Sequence, residues 1–348
     1  MLLFFSMKIV IVYNKRPDGI DRNDPTLEKF IEGDEWKTIE AVGKALSESG
    51  HLVSYFPISS GIYEQLKQSK NDIDLLLNLS EGINPSADRE AQIPMVAEIL
   101  GIPHTGPGPL SSALILNKSR AKEIWKANGV RTAHWQLFQN ENDHLDEKLL
   151  YPLIVKPNGE GSGIGIKSNS IVSSAQELKQ VVSMIIHEYH QNALVEEYLP
   201  GREFTIGLIG NGDDITILPI IEINFDAFPS GTPRIDSYEA KFIYGATGLS
   251  EMTETEFCPA RVTKSLEKEL NKLALAAYQT IGCLDFGRVD LRLDNRGRVN
   301  VMEINHPPGL MSDPNESSFF TIASRAMGWD FTETINKIVE SARVRLNL

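Results

Sequence analysis

The order of apolar and polar residues predicts alternating strands and helices over the first hundred residues. Apolar runs at 8–13 (KIVIVY), 52–56 and 74–79 are typical of buried strands. Residues 35–49 and 90–100 carry apolar side chains at helical spacing, and a glycine follows each of them. Strands that alternate with helices favour a parallel sheet with helices packed on its faces.

The rest of the chain mixes helices with strands. Residues 105–109 (TGPGP) form a cluster of helix-breaking residues and mark the first predicted domain boundary. We then predict a helix at 110–128, a strand, glycine-rich turn and strand over 152–167, a helix at 175–187 and a strand at 193–197. The last predicted elements are strands at 205–209, 215–222, 288–293 and 299–304, and helices near 263–281 and 316–345.

Composition and charge narrow the possible classes of protein. Of the 348 residues, 41% are hydrophobic and 23% are charged, as in a globular protein with a core. The net charge of −13 argues against nucleic acid or an anionic membrane surface as a partner. Cys258 and Cys283 are isolated, which argues against a disulfide framework. We see no targeting segment and no apolar run of membrane-spanning length, so we expect a cytoplasmic protein.

The strongest local motif is a strand that leads into a glycine-rich loop, residues 154–165 (IVKPNGEGSGIG). The glycines would let the backbone approach a ligand closely and turn N–H groups towards phosphate, and Lys156 would add a positive charge. The spacing fits neither a P-loop nor a dinucleotide-binding fingerprint. A glycine-rich hairpin without a ligand is the alternative for this segment taken alone.

A second motif lies on two predicted strands near the C-terminus. Two-residue alternation places Arg288 with Asp290 on one strand face, and Glu303 with Asn305 on one face of the other strand. Neighbouring strands would bring Asp290, Glu303 and Asn305 together, and oxygen ligands of this kind suit Mg²⁺. A solvated strand face is the alternative. The Pro-Pro-Gly turn that ends at Gly309 favours the metal site.

A third motif, residues 194–203 (LVEEYLPGRE), is weaker. An apolar strand that runs into a turn could offer Glu196 and backbone groups to an adenine edge, with Glu203 reaching the ribose hydroxyls. The alternative is an acidic turn exposed to solvent.

Taken in order, these motifs resemble the ATP-grasp ligases, and most closely the D-alanine–D-alanine ligase family. The resemblance extends from about Asp74 to the C-terminus and rests on segments 100–106, 117–118, 155–165, 195–199, 238–242, 287–290 and 303–305. It implies an α/β protein with a three-domain ATP-grasp architecture, in which the N-terminal (pre-ATP-grasp) domain contains a parallel sheet. We expect these domains at residues 1–107, 108–197 and 198–348.

The resemblance also implies roles for individual residues. The implied ATP contacts are Lys118, Lys156, Glu196, Glu197, Leu199, Glu203 and Lys241. The implied ligands of two Mg²⁺ ions are Asp290, Glu303 and Asn305. Arg288 and the backbone N–H of Gly309 would hold a developing oxyanion, and Ser162 would lie near the tip of a flap over ATP.

The chain departs from the family pattern where the amino acids would bind. The loop that grips the first amino group is replaced by a long insert, in which Glu32 or Glu35 could substitute for the family's glutamate. The family's tyrosine next to the phosphate lysine is Phe242, a change associated in the family with relaxed use of D-lactate. The serine for the second substrate's carboxylate is Ser317 or Ser318.

The leading interpretation is an ATP-dependent carboxylate–amine ligase that forms a dipeptide through an acyl phosphate, with D-alanine as the default substrate. A ligase of the same mechanism could instead use other amino acids or a D-hydroxy acid. A nucleotide-binding protein without catalysis is a more distant alternative, and the missing fingerprint disfavours a nicotinamide oxidoreductase. The expected partners are amino-acid substrates and a second copy of the chain in a homodimer.

Overall fold

The computed structural model describes residues 6–17, 33–83, 86–228, 231–235, 255–314, 316 and 318–348. Four residues named above, Glu32, Lys241, Phe242 and Ser317, lie outside the described residues, and what was expected of them stays a prediction. Within the described ranges, the longer strands form three sheets, which are taken here in chain order.

The first sheet is parallel, as the alternation of strands and helices predicts. Its strands are β1 (Lys8–Tyr13), β2 (Leu52–Pro57) and β3 (Leu75–Leu79), in the order β2-β1-β3. The helices of this part are α1 (Trp36–Glu48), α2 (Ile62–Ser69) and α3 (Gln92–Leu100). All three predicted strands and both predicted helices are confirmed. Helix α2 was not predicted, because only two of its side chains, Ile62 and Leu66, are buried.

Alternation along β1 separates two apolar layers. Ile9 and Ile11 belong to a cluster that includes residues of α1, whereas Val10 and Val12 belong to a second cluster with residues of α2 and α3. Because neighbouring side chains of a strand point to opposite faces, the run KIVIVY buries both faces of the sheet.

The predicted helix at 110–128 is two helices, so this prediction is wrong in its middle. Helix α4 (Pro109–Leu116) ends before Asn117, and α5 (Lys118–Ala127) begins after it. Asn117 has extended backbone angles, and its side chain accepts the N–H of Arg120 at 3.3 Å. An asparagine side chain that caps a helix in this way competes with helix continuation. The break places Lys118 at the first position of α5.

The second sheet contains β4 (Trp135–Phe138), β5 (Leu153–Pro157), β6 (Ile171–Val172) and β7 (Ala193–Glu197), in the order β4-β7-β5-β6, and α6 (Ala175–Glu188) packs against it. The strand predicted directly after the glycines is wrong. Residues 158–170 contain turns and a 3₁₀ helix (Ser168–Ser170), and the short β6 pairs with β5 instead. Ser162, Gly163 and Gly165 have φ values of 51°, 77° and 73°, which no extended strand can contain.

The third sheet is antiparallel and has the strand order β11-β10-β8-β12-β13, with β9 paired to β8. Its strands are β8 (Glu203–Asn211), β9 (Asp214–Ile217), β10 (Ile221–Ile223), β11 (Glu256–Phe257), β12 (Phe286–Leu293) and β13 (Val299–Asn305). The helices of this part are α7 (Lys264–Thr280), α8 (Phe319–Ala326) and α9 (Phe331–Leu346). The strand predicted at 215–222 is two strands, and the helix predicted at 316–345 is two helices with Gly328 between them.

One face of the third sheet is apolar and the other carries charged residues. Phe204, Ile206, Val289 and Leu291 pack with residues of α5 and α7 in one core cluster. Residues that alternate with them, among them Asp290, point to the opposite face. Cys283 is buried in that core cluster.

Asp285 joins the segment before α4 to the C-terminal helix α9. Its carboxylate accepts the N–H of Gly106 at 2.8 Å and pairs with Arg345 of α9 at 2.6 Å. Arg345 also donates to the carbonyl of His104. Since Asp285 is fully buried, this cluster fixes the segment before α4 against α9.

Candidate active site

The carboxylate of Asp290 lies at the centre of the charged face. In the antiparallel register, Asp290 is opposite Glu303 of β13 on one side and Thr205 of β8 on the other. Asp290 accepts hydrogen bonds from Thr205 Oγ1 at 2.5 Å, from Arg288 Nε and Nη2 at 3.0 Å each, and from Asn305 Nδ2 at 2.8 Å. The structure therefore brings together the residues that the second motif predicted, and the alternative of a solvated strand face is wrong for the buried Asp290.

Lys118 connects this cluster to the glycine loop, the name we use for residues 158–165. Its Nζ lies 3.1 Å from Glu303 Oε2 and donates to the backbone carbonyl of Glu160 at 2.5 Å. The side chain of Lys118 is buried, so this positive charge is held in place. Lys118 stands where α5 begins, and it is positioned there by the break at Asn117.

Two carboxylates and one amide oxygen have the donor chemistry that Mg²⁺ uses. Among the described residues, no group of three or more His, Cys, Asp or Glu side chains could hold a metal ion. Asp290 is paired with Arg288 and Glu303 with Lys118. These residues fit an ion that takes its other ligands from phosphate oxygens and water, as Mg²⁺ commonly does.

The base of the glycine loop is fastened to residues before α3. Arg89 donates to the carbonyl of Gly159 at 2.8 Å and lies 3.1 Å from a carboxylate oxygen of Glu160. A Cβ atom on Gly159 would stand 2.6 Å from the Cβ of Ala87, so only glycine fits there without a shift. Ser162, near the tip, is half-buried and has a positive φ.

A second charged cluster lies under the glycine loop. Glu196 of β7 is paired through Oε1 with Lys156 and through Oε2 with Lys122, at 2.5 Å in both cases. Lys122 also donates to Thr132 Oγ1 at 2.7 Å. All three charged side chains are buried, so an exposed acidic turn is wrong for Glu196.

These partners shift the pKa values of the cluster. Burial alone would raise the pKa of Glu196, but Lys122 and Lys156 outweigh it and the pKa is lowered. Burial likewise acts to lower the pKa of Lys156, and Glu196 and Glu303 overcome this and raise it. For the fully buried Lys122, burial prevails and its pKa is lowered. Lys156 therefore carries a full positive charge at neutral pH.

Lys122 was missed at the sequence level, although a signal existed. It follows Lys118 by four residues, so both lysines lie on one face of α5. A pair of lysines on the buried face of a helix is rare unless each has a partner. That rule would have singled out Lys122.

The residues predicted to contact adenine and ribose lie between the end of β7 and the start of β8. Leu199 is buried, and Glu197 is half-buried with its backbone N–H bonded to the carbonyl of His134. Glu203, the first residue of β8, is buried and lies 2.9 Å from Arg292 Nη1. Arg292 is a second charged residue that was missed, although it continues the alternation of Arg288 and Asp290 along β12.

The turn after β13 holds the remaining predicted residues. Ser318 is buried and its hydroxyl donates to the carbonyl of Gly309 at 2.5 Å. Glu35, one of the two candidates for the first amino group, pairs with Arg16 at 3.0 Å and with Lys37 at 3.2 Å. Lys37 in turn contacts Glu316, so α1 reaches the segment that follows Gly309.

The chain is similar to known proteins along most of its length. A family model described as D-ala D-ala ligase C-terminus matches residues 124–340. The D-alanine–D-alanine ligase of Carboxydothermus hydrogenoformans is 31% identical over 312 residues, which cover 87% of this chain and 91% of that protein. The uncharacterized protein y4sG of Sinorhizobium fredii is 29% identical over 347 residues, which cover 97% of this chain and 98% of that protein.

The fold is also that of a solved structure. The D-alanine–D-alanine ligase of Bacillus anthracis, crystallised in complex with ATP, matches with a TM-score of 0.72 at 23% identity, over 98% of this chain and 99% of that one. The three sheets and this likeness define an ATP-grasp protein, and the α/β ATP-grasp fold is confirmed. The chain belongs to the D-alanine–D-alanine ligase family and is an ATP-dependent ligase of that type. No helix in the described part of the chain is long and apolar enough to cross a membrane.

Proposed function

We propose that this protein joins two amino acids into a dipeptide through an acyl phosphate, with D-alanine as the default for both. The observation that supports this is the arrangement of three ion pairs, Lys118 with Glu303, Lys156 with Glu196 and Arg288 with Asp290. In the proposed reaction, their cations offset the negative charge that develops on the phosphate oxygens and on the tetrahedral oxyanion.

The proposed reaction has two steps. In the first, a carboxylate oxygen of one amino acid attacks the γ-phosphorus of ATP, and ADP leaves. Lys118 and Lys156 bind the phosphates and offset the charge on the transferring group. Asp290, Glu303 and Asn305 would hold Mg²⁺, which supplies further neutralisation of the phosphate oxygens when bound.

In the second step, the amine of the other amino acid, after losing a proton, attacks the acyl carbon and phosphate leaves. Arg288 and the backbone N–H of Gly309 are proposed to hold the tetrahedral oxyanion. Ser318, which donates to the carbonyl of Gly309, orients that turn. The glycine loop with Ser162 is proposed to exclude water, because acyl phosphates hydrolyse readily.

A second candidate is an ester-forming ligase that accepts a D-hydroxy acid. The sequence favours it at one position, since the family's tyrosine is Phe242 here. A nucleotide-binding protein without catalysis is disfavoured, because each of the three cations has an acidic partner in the site.

The test is phosphate release from ATP, screened over pairs of D- and L-amino acids and D-hydroxy acids, with the products identified by mass spectrometry. Formation of a dipeptide when D-alanine is the only amino acid supplied would support D-alanine as the default substrate. Turnover of another pair, with none for D-alanine, would replace the default substrate. Absence of phosphate release for all pairs, with ATP bound, would favour the protein without catalysis.

We also propose that the ligase is a cytoplasmic homodimer. The two cysteines are unpaired, which suits a reducing compartment. Sedimentation velocity at micromolar concentration would show a single species of twice the chain mass of 38.7 kDa.

A further inference from the structure

Arg292 and Glu203 form a buried ion pair on the active-site face of the third sheet. The two residues are directly opposite each other in the register of β8 and β12, two positions along from the pair Asp290 and Thr205. At about 3.4 Å per residue, the pair lies about 7 Å along the strands from Asp290. Both side chains are only 4% exposed, with Nη1 and Oε2 2.9 Å apart.

The guanidinium of Arg292 also fixes the turn before β8. Its Nε donates to the carbonyl of Gly201 at 3.2 Å, and its Nη2 donates to the carbonyl of Arg234. The guanidinium carbon lies 5.3 Å from the ring centre of Tyr198 and 5.2 Å from that of Phe225. A planar group with five donors that also lies over two aromatic rings has few available orientations.

Because its own orientation is fixed, Arg292 also restricts the orientation of the Glu203 carboxylate. Arg292 contacts it through a single N–H, and a carboxylate has room for several donors in its plane. Removal of Arg292 would take from the buried Glu203 carboxylate the ion pair that fixes its orientation. The same arginine therefore ties the turn at Tyr198, next to Leu199, to the residue proposed to bind the ribose.

We propose that Arg292 is a positioning residue that gives this ligase its preference for ribose over deoxyribose, because it presents the Glu203 carboxylate to the ribose hydroxyls of ATP. This inference rests on the proposed function, in which Glu203 accepts hydrogen bonds from those hydroxyls. Arg292 acts on nucleotide affinity and not on the reacting atoms, which lie towards Asp290 and Lys118.

The experiment compares the affinities of ATP, 2′-deoxyATP and 3′-deoxyATP by calorimetry with Mg²⁺ present, together with kcat at saturating ATP. The variants are Arg292→Met, Arg292→Lys, Glu203→Gln and the double variant Arg292→Met with Glu203→Gln. The matched control is Arg202→Met. Arg202 is the neighbour of Glu203, but its ion pair with Glu222 and its stacking on Phe204 belong to the opposite face of the sheet.

The wild-type protein should prefer ATP over at least one deoxynucleotide by about tenfold, the worth of one charge-assisted hydrogen bond. Arg292→Met and Glu203→Gln should each reduce the preference to within about threefold, and the double variant should reduce it no further. Arg292→Lys should retain an intermediate preference. Values of kcat at saturating ATP should stay within about threefold for Arg292→Met and Arg292→Lys, and Arg202→Met should keep the full preference.

Two results would overturn the inference while the ligase function stands. One is a wild-type protein that binds ATP and both deoxynucleotides equally, which needs no variant at all. The other is an Arg292→Met or Arg292→Lys protein that weakens all three nucleotides by the same factor. A wild-type protein that binds no ATP would contradict the proposed function itself.

Discussion

Lys118 and Glu303 neutralise each other across the candidate active site, with Nζ 3.1 Å from Oε2. One is proposed to bind phosphate and the other a metal ion, so the nucleotide and the ion would each take over one partner of an existing pair. Glu303 is thus a metal ligand in the proposal and the partner of Lys118 in the structure.

Glu303→Gln and Arg288→Ala should lose activity in different ways. Glu303→Gln removes a charged oxygen ligand, so its activity should partly recover as the Mg²⁺ concentration is raised. Arg288→Ala removes an oxyanion donor, and turnover should fall by about a hundredfold or more at every Mg²⁺ concentration. Steady-state rates over a Mg²⁺ series measure both. The same Mg²⁺ dependence in the two variants would argue against these roles.

Lys156→Ala should weaken ATP binding by about tenfold to a hundredfold, because it removes a charge-assisted contact to phosphate. Calorimetric titration with ATP and Mg²⁺ measures the change. The control is Lys126→Ala, which alters an exposed lysine on α5. An affinity equal to that of the wild-type protein would remove Lys156 from the nucleotide site.

Lys122→Met should lower the free energy of unfolding by about 3–5 kcal/mol, since it leaves the buried Glu196 with Lys156 as its one remaining lysine partner. Adding Glu196→Gln should cost less than the sum of the single changes, because both changes break the same pair of Lys122 and Glu196. Urea unfolding measures all three variants. Additive losses would show that Lys122 does not act through Glu196.

Stability should depend on pH through Asp34. Burial raises the pKa of this carboxyl to about 7, with Arg16 opposing the rise and Glu35 adding to it. Between about pH 4 and 7 the folded protein therefore keeps a proton that the unfolded chain has released, and the free energy of unfolding falls as the pH rises. Asp34→Asn removes this loss.

The stability of Asp34→Asn relative to the wild-type protein should increase by about 2–3 kcal/mol between pH 5 and pH 8. Urea midpoints at the two pH values test this, with the exposed Asp213→Asn as control. A constant difference between Asp34→Asn and the wild-type protein would contradict the raised pKa.

Peptide and ester products should respond differently to pH. An attacking amine must be deprotonated, and amino groups titrate near pH 8 or above, so peptide formation should rise steeply from about pH 6 to 9. A hydroxyl nucleophile has no such requirement in this range, so any ester should be favoured below pH 7. Competition between D-alanine and D-lactate, read by mass spectrometry, gives the ratio.

We expect peptide as the main product with some ester at low pH, and Phe242→Tyr should lower the ester share. An ester fraction that does not change with pH would contradict this account of the nucleophile. If neither product forms while another amino-acid pair turns over, the long insert after β1 has changed the substrate.

Local patterns predicted most of the fold and the centre of the site. The strand β1 and the face shared by Arg288 and Asp290 follow from the two-residue alternation alone, because that rule depends only on the backbone. The break at Asn117 was missed, since residues 110–128 have an unbroken helical pattern and the competing asparagine cap is a single side chain.

Long-range charge partners could not be predicted in the same way. Arg292 meets Glu203, and Arg89 meets Glu160, through contacts between segments that are far apart in the chain. Either arginine on its own would fit a solvated surface equally well. Their burial, and so their importance, is decided by the packing of whole sheets.

The attachment of the glycine loop to Arg89 limits how this ligase can be recombined with its relatives. A chimera joined near residue 107 would take the N-terminal part from one parent and the loop from another. Arg89 and Ala87 would then come from one parent, and Gly159, which both of them contact, would come from the other. A donor with a larger side chain at 87, or without the arginine at 89, would displace the loop. A chimera made to exchange substrate specificity between family members should therefore take residues 87 and 89 from the same parent as the glycine loop.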